Sequence, residues 1–428
     1  IHVLNGYSKN DQTDKVAKVV INGDTNINAY GVDYALGTYV TGNSLLEING
    51  NVAMKGQGDK QWGIDNDGTS ANGYHSISGL YAGATYGGNP AGGKIVVNGN
   101  VDLAVNGTGV LANGNGSSVV INGGGTILTN KDNQDVHYAL AAENGSVSMN
   151  MNKDNTAAGT NKVDIKGNIG VLNGAVNDWD IVKDTTLDIG LSTADSVLTG
   201  VAVNNFTKEQ VEAGNKPQLN MYVSNGATWN NEAYGKVVAG FAGSKVDKFV
   251  GGSDASHAGY IVQKDANALT IGNYSGHTVL VYEHTNDGSE AGHFAAGDTH
   301  IKNAAVGSGI VVSTDNNGID TGNTELVNKV LNNLAGRLYY DAFATGEKNL
   351  NGVVQIASGL TGSSISKVVG GDITFSESDG KGQYVTAPPK PVEHVFDKQI
   401  FEDIDESGPL DYWKTGNPYV GKAVKIGR

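Results

Sequence analysis

The sequence predicts an all-β chain, a right-handed parallel β-helix (solenoid) with loop insertions and one amphipathic helix near the C-terminal end. Three features point to it. A phrase of the form apolar-x-apolar-Asn-Gly-(Asn/Asp/Gly)-x-apolar recurs as KVVINGDTNI at 18–27, SLLEINGNVAM at 44–54, KIVVNGNVDLAV at 94–105 and SSVVINGGGTI at 117–127, with the variant NKVDIKGNIGV at 161–171. A second phrase, in which small and apolar residues alternate up to an Asn or Gly, recurs between these copies. Glycine, at 62 of 428 residues, is about twice its usual share of ~7%, whereas proline is only 7.

In the first phrase, period-two alternation on both sides of the glycine implies two short strands. The Asn-Gly between them tolerates positive φ, so a sharp turn is expected there. Asn-Gly is also a hairpin signal, but the spacing argues against a hairpin. The glycines Gly23, Gly50, Gly99, Gly123 and Gly167 are 27, 49, 24 and 44 residues apart, and the two long steps read as double units. A period in this range is that of a solenoid. The second phrase supplies a third strand per unit: DYALGTYV from Asp33, SGLYAGAT from Ser78, GTGVLANG from Gly107, HYALAAEN from His137 and NIGVLNGA from Asn168. Three strands and three turns make one coil, stacked on the next at about 4.8 Å. Inward Val, Ile, Leu and Ala then form the core, outward Asn, Thr, Asp and Lys face water, and Asn at equivalent turns stacks into amide ladders.

Three stretches interrupt the pattern. Residues 57–93 carry excess loop around one coil. FTKEQVEAGNKPQ at 206–218 reads as a short helical or looped insertion. TELVNKVLNNLAGRLYYDAFAT at 324–345 places Val327, Val330, Leu331, Leu334 and Leu338 at helical spacing behind Thr324 or Asn323 as N-cap, predicting one amphipathic helix over 324–345. Strands resume at VVQIAS and DITFSES. From about Thr386 prolines cluster and the acidic FEDIDES follows.

Composition narrows the function. Hydrophobic residues are 39% of the chain, too many for a disordered polymer. The net charge is −15, from 29 Lys plus Arg against 44 Asp plus Glu, which disfavours nucleic acid and anionic membrane surfaces as partners. Arginine occurs at Arg337 and Arg428 alone, so bidentate recognition of sulfate or phosphate has few donors. Lysines brought together by folding, such as Lys15 with Lys18 or Lys245 with Lys248, remain possible. Without cysteine there is no disulfide framework and no thiolate metal site. No apolar run is long enough for a spanning helix, so no direct membrane insertion is expected. The opening Ile1-His2-Val3 suits a mature or trimmed product.

The succession NYSGHTVLVYEH, GDTHIKNAAVGSGIVVSTDN, VLNNLAGRLYYDAF and NGVVQIASGLTGSSIS between Asn273 and Tyr384 resembles the C-terminal part of the passenger domain of monomeric (type V) autotransporters. With the coils before it, the resemblance covers roughly residues 16–384. It implies a β-helix passenger over 1–272, a C-terminal capping (autochaperone-like) region over 273–385, and a Pro-containing acidic tail or linker over 386–428. It implies display on the extracellular side of the bacterial outer membrane, or secretion. No run of alternating barrel strands follows.

Catalytic chemistry has little support in the residues. Gly42-Asn43-Ser44-Leu45 is one residue from the Gly-Asp-Ser-Leu of passenger esterases, and Asp254-Ala255-Ser256-His257 offers an Asp-x-x-His, but Ser44 sits where a turn enters a repeat strand, in phase with Ser117. Asp178-Trp179-Asp180 would put two carboxylates on one strand face beside a sugar-stacking ring, but two solvated acids flanking a loop Trp are the better reading. Asp65-Asn66-Asp67-Gly68 and Asp315-Asn316-Asn317-Gly318 resemble half of a Ca²⁺ loop but lack the bidentate Glu, and read as Asx turns. His284, His293 and His300 have no metal-ligand spacing. No catalytic residue, metal or cofactor is expected.

The remaining signal is aromatic. Trp62, Tyr74, His75, Tyr81 and Tyr86 gather on or near the longest insertion, and Trp179 stands in another loop, so these six are the candidate ligand-binding residues. The expectation is an adhesin whose lateral face binds a host extracellular-matrix or cell-surface protein or glycan, or other bacterial cells. Homotypic self-association in aggregation and biofilm, or a carbohydrate-active enzyme, are the alternatives.

Overall fold

The computed structural model describes residues 1–4, 16–31, 36–58, 78–83, 92–132, 136–173, 184–285, 293–294, 297–316, 318–357 and 368–385. It is an all-β parallel solenoid of stacked strands. Two compact units divide it: Ile1–Tyr222 with Ala233–Asp247, and Val223–Glu232 with Lys248–Arg428. Among the described residues no helix is long and apolar enough to cross a membrane.

In the first unit each turn of the chain contributes one strand to each of three parallel sheets. The first sheet runs through His2–Leu4, Leu36–Thr41, Ser78–Gly83, Val110–Asn113, Leu140–Glu143, Ile169–Leu172 and Ala202–Asn204. The five from Leu36–Thr41 to Ile169–Leu172 are the strands expected from the second repeated phrase. The second sheet begins Ala17–Ile21, Ser44–Ile48, Lys94–Val97, Ser118–Ile121, and the third begins Thr25–Gly31, Val52–Gly58, Val101–Val105, Gly125–Thr129. Ladder register lines up the apolar positions. Met54, Leu103, Ile127, Ile165 and Leu198 form one inward row of the third sheet, and Leu46, Ile95, Val119, Val147 and Leu187 one of the second. All ten are buried. Row after row of branched side chains is what fixes the register, because a slip of one residue would turn each row outward.

The Asn-Gly corner between the second and third sheets works differently from the sequence expectation. Gly23, Gly50, Gly99 and Gly123 are not among the positive-φ residues. They are small because the corners stack. A Cβ on Gly50 would fall inside the backbone of Gly23, one on Gly99 inside the Gly50 carbonyl, and one on Gly123 inside the Gly99 carbonyl. The asparagines form the expected amide ladder: Asn49 donates from Nδ2 to Asn22 Oδ1 at 2.8 Å, Asn98 to Asn49 at 2.6 Å and Asn122 to Asn98 at 2.7 Å. The residue after the glycine builds a second ladder. The Asn51 N–H donates to Asp24 Oδ1 at 2.8 Å, the Asn100 N–H to Asn51 Oδ1 at 2.9 Å, and the Gly124 N–H to Asn100 Oδ1 at 2.8 Å. The residue after the glycine is Asp24, Asn51 and Asn100 in the first three copies for this reason, and Gly124, at the end of the ladder, only donates. Asn98→Ala removes two ladder bonds at an exposed corner and is expected to cost about 1–2 kcal/mol, with Asn22→Ala at the end of the ladder costing about half. Denaturant midpoints of the two variants check this.

The register corrects the spacing argument in two places. Val52 pairs directly with Val101, so the 49-residue step is one turn carrying an insertion, not two turns. Gly167 lies at a different corner, between Val163–Lys166 of the third sheet and Ile169–Leu172 of the first. The residue in phase with Asn122 is Asn150, whose N–H bonds Ile121 O at 2.9 Å. There the excursion 151–161 intervenes, and the Asn150 side chain turns to the carbonyls of Asn161 at 3.0 Å and Gly190 at 2.9 Å.

From Tyr81 to Val203 the first sheet is covered on both faces. Its outward row is His2, Tyr39, Tyr81, Leu111, Ala141, Gly170 and Val203 in register. Val136, Tyr138 and Val238 pack over this row, with Ala233, Val237 and Phe241 at the margin. Side-chain size falls from Tyr81 to Gly170 where the cover lies. A Cβ on Gly170 would crowd the Tyr138 ring at 3.1 Å. Burial, and secondarily Glu143, push the Tyr138 hydroxyl well above its ordinary pKa.

In the second unit, Thr228–Asn231, Gly259–Gln263, His277–Tyr282, Ser308–Asp315 and Leu350–Ala357 form one parallel set. Ala268–Ser275, Thr299–Ala304 and Leu338–Tyr340 form another. The set ends on antiparallel strands Val368–Phe375 and Gly382–Val385. The amphipathic helix exists but is shorter than expected. It spans Thr324–Ala335, with the Asn323 side chain accepting from the Leu326 N–H at 3.1 Å and Gly336 as C-cap. Val327, Val330, Leu331 and Leu334 are buried on it as expected. Leu338 is buried for another reason: Leu338–Tyr340 is a strand paired with Thr299–Ile301, and Asp341–Thr345 is a 3₁₀ turn. Gly336 stops the helix, and the Leu-Tyr-Tyr that follows has strand chemistry. The insertion at 206–218 contains a short helix, Lys208–Glu212, closed by a Thr207–Gln210 capping box.

Candidate binding groove

On the outer face of the third sheet the row Lys55, Ala104, Leu128, Lys166 runs across four strands in register. Leu128 is 41% exposed, an apolar side chain left open on this face. Lys55, Ala104 and Leu128 floor a groove of about 520 Å³. Its edge is the run Asn106, Asn130, Lys131 and Asp132, where the strands leave the sheet. Asn130 Nδ2 donates to Asn106 Oδ1, repeating the corner amide stack on a second side of the coil. The Asp132 N–H bonds Asn130 Oδ1 at 3.0 Å, which fixes the turn.

The far lip is Tyr234, carried by a segment with no repeat pattern. Its placement depends on one buried side chain. Asn168, 1% exposed, donates to the Tyr234 carbonyl at 3.1 Å, and its Oδ1 accepts from the Tyr234 N–H and the Val201 N–H, each at 3.0 Å. Next to it Gly235 has φ +79°, and a Cβ there would stand 2.9 Å from the Lys131 carbonyl, so the segment lies close on the groove edge. The Lys131 ammonium sits 5.8 Å from the Tyr234 ring centroid, within cation–π range. Burial, then the charge of Asp132, raise the Tyr234 hydroxyl above its ordinary pKa. The groove thus offers an apolar floor, an aromatic ring, stacked amides and two ammonium groups on a rigid ladder.

A second groove of about 490 Å³ lies beside the helix Lys208–Glu212, lined by Asp184, Phe206, Val211, Lys216, Lys245 and Asp247 among others. Asp247 has a structural role. One oxygen, Oδ2, accepts from the Leu219 N–H at 2.8 Å and from Asn204 Nδ2 at 3.2 Å. Burial raises its pKa above 3.8, and these hydrogen bonds offset only part of that. A carboxylate whose folded pKa is raised contributes stability that is fully present below 3.8 and lost as pH rises through the folded value. Asp247→Asn can keep both bonds on its one carbonyl oxygen. It is expected to be as stable as the parent or slightly more so at pH 7, and to lose that decline in the acid range. Unfolding midpoints measured from roughly pH 3, just below the ordinary Asp value, up to pH 7 check it.

No family model, curated protein or solved structure matches this chain. The site is therefore weighed on its geometry alone.

Of the six aromatic and histidine residues singled out by sequence, Trp62, Tyr74, His75, Tyr86 and Trp179 lie outside the described residues, as do Asp178, Asp180 and the Asp65–Gly68 run. Tyr81 is described and is corrected. It points outward on its strand as alternation requires, but it is 4% exposed, stacked on Tyr39 at 5.2 Å beneath the cover of the first sheet. Ser44 is 2% exposed and shares a rung row with Ser117, as expected for a repeat position. His300 stacks on Tyr339 at 4.4 Å with Nδ1 3.1 Å from Asp341. Lys18 is paired with Glu47 at 2.9 Å.

Asp254, Ser256 and His257 do come together, but in the wrong order for acyl transfer. Ser256 Oγ donates to Asp254 Oδ1 at 2.8 Å, and Asp254 Oδ1 lies 2.7 Å from His257 Nδ1. Ser256 Oγ is 3.2 Å from that same Nδ1. A relay needs serine on one ring nitrogen and carboxylate on the other. Here Asp254 caps the turn Ala255–His257. Burial works against its ionisation, yet the hydrogen bonds from Ser256, His257 and Ser253 outweigh that and draw its pKa down to about 2.

Lys55, Lys131, Tyr234 and Asn168 were not singled out by the sequence reading. Lys55 had a usable signal: it is an outward position of a repeat strand. Tyr234 had none, because it stands in a segment without period.

Proposed function

We propose that this chain is an adhesive module, the surface-exposed or secreted passenger that its autotransporter resemblance implies, binding a host extracellular protein or glycan, or a partner cell, without turnover. The observation that carries this reading is the open groove on the third sheet. It is built from in-register rows on a rigid ladder, and its lining mixes ring, amide, apolar floor and cations. Such a surface offers many weak contacts along a repeat rather than one enclosed reacting centre. The Asp254–Ser256–His257 geometry supports the same side, since it caps a turn.

The test is an array of immobilised matrix proteins and glycans, read alongside attachment of beads carrying the protein to host cells. Saturable binding to at least one ligand class is expected. Failure on all ligands and cells, together with self-association that strengthens as salt screens the −15 charge, would replace this reading with homotypic adhesion.

A further inference from the structure

We infer that the third-sheet groove is a site for a carboxylate-bearing glycan chain, one that spaces its acidic sugars with neutral ones. The inference rests on the adhesive reading and gives that reading a ligand class. Some lysines of the chain pair with carboxylates, as Lys18 does with Glu47 at 2.9 Å and Lys264 with Glu232 at 3.6 Å. Among the described residues Lys55 and Lys131 have no such partner, and Lys131 faces the Tyr234 ring instead. Lys55 in the floor and Lys131 on the edge outnumber the one carboxylate of the lining, Asp132, so in a chain of charge −15 the groove is locally positive. A neutral sugar entering there would desolvate them without supplying a counter-charge, which is costly, whereas a carboxylate supplies it.

The rest of the lining fits a sugar. Leu128 and Ala104 offer a flat apolar floor for C–H faces, the Tyr234 ring offers an edge to stack on, and the Asn106–Asn130 amides offer hydrogen bonds to hydroxyls. The neighbouring charges set the density of acid that is tolerated. The outward row that floors the groove runs Lys55, Ala104, Leu128 and continues past the groove to Lys166, while the adjacent outward row carries Asp102 and Asp164. These acids lie about 7 Å along the strands from the lysines, by strand rise. A heavily sulfated polymer would meet one on every second strand, since the row reads Ala53, Asp102, Thr126, Asp164. A chain with isolated carboxylates can place one at a lysine and a neutral sugar beside an aspartate.

The experiment is a calorimetric titration of the whole protein with three hexasaccharides: one alternating uronate with neutral hexosamine, the same oligomer with its carboxyls reduced to alcohols, and a heavily sulfated one. The uronate oligomer is expected to bind. At least a tenfold loss is expected on carboxyl reduction, and a similar loss in the Lys55→Ala/Lys131→Ala protein. Lys153→Ala, on the exposed hairpin 151–158, should bind like the parent, and matching circular dichroism of all variants controls for folding. Equal binding of the reduced oligomer, tighter binding of the sulfated one, an unaffected double variant, or no binding of any oligomer each overturns the assignment. Cell or matrix attachment in a protein that ignores all three sugars overturns the groove assignment and leaves the adhesive reading standing. Loss of both removes both.

Discussion

Gly99→Ala is expected to destabilise the first unit by about 2–3 kcal/mol, and Gly23→Ala to leave stability within about 0.5 kcal/mol of the parent. The two glycines occupy equivalent corners of the same repeat, and neither needs positive φ. The difference is what lies on the N-terminal side. A Cβ on Gly99 would enter the Gly50 carbonyl and the Asn51 side chain, which belong to the rung below. A Cβ on Gly23 meets nothing within 4 Å. Relief at Gly99 requires the corner to lift, and lifting it pulls Asn98 away from Asn49 and the Asn100 N–H away from Asn51. Backbone crowding and ladder loss therefore act together. Alanine otherwise favours the folded state by narrowing the unfolded ensemble, by ~0.4–1 kcal/mol, so Gly23→Ala separates the two effects. Urea unfolding of the pair is the measurement. Equal midpoints would mean that the corners do not stack.

Asn168→Ala is expected to cost about 3–5 kcal/mol and to release the segment around Tyr234. The asparagine satisfies three backbone groups at once, the Val201 N–H and both polar groups of Tyr234. Each group left unsatisfied and buried costs about 1–3 kcal/mol. Water can reach Tyr234, which is only half-buried, so the total stays below the three-fold maximum. The functional readout is separate from stability. With the clamp gone, the Tyr234 lip and Gly235 no longer pin the groove edge, and hydrogen exchange at residues 233–241 should accelerate while the inward rows at Leu103 and Ile127 stay protected. Asn168→Asp keeps one acceptor but loses the donor to the Tyr234 carbonyl, and should fall between alanine and parent. Unchanged exchange at 233–241 in Asn168→Ala would show that apolar cover from Val238 and its neighbours holds the segment unaided.

The coil architecture was legible because its causes are local and repeated. Alternation in KIVVNGNVDLAV fixes two strands, and the same apolar positions reappear in each rung. The phase was only partly legible. An insertion inside one turn and two turns without an insertion have similar length, and register alone shows that Val52 pairs with Val101. NKVDIKGNIGV imitates the repeat at another corner because apolar-x-apolar followed by a small residue suits any corner of a coil. The glycines were recognised but for the wrong reason: a turn and a tight stack both select against Cβ, and sequence does not separate them. Tyr81 was misjudged because alternation tells which way a side chain points and not what covers that face. The cover comes from residues 136–138 and 233–241, whose sequence carries no period. The groove was the least legible part. Its lysines and ring come from strands and a strap far apart in sequence, and Asn168, which positions the ring, looks like any other turn asparagine.

The most direct test of the account is a cross-link in this cysteine-free chain. Lys94 and Ser118 are in-register partners on parallel strands, 24 residues apart and both facing outward. Their Cα atoms lie at about the 4.8 Å strand spacing, inside the range a disulfide bridges. Oxidation of a Lys94→Cys/Ser118→Cys protein should give near-complete intramolecular disulfide with no change in circular dichroism. A Lys94→Cys/Asp102→Cys protein, whose cysteines a hairpin with the three-residue loop Val97-Asn98-Gly99 would bring alongside each other, should stay reduced. Cross-linking of the second pair and not the first would contradict the stacked coils and everything built on their faces.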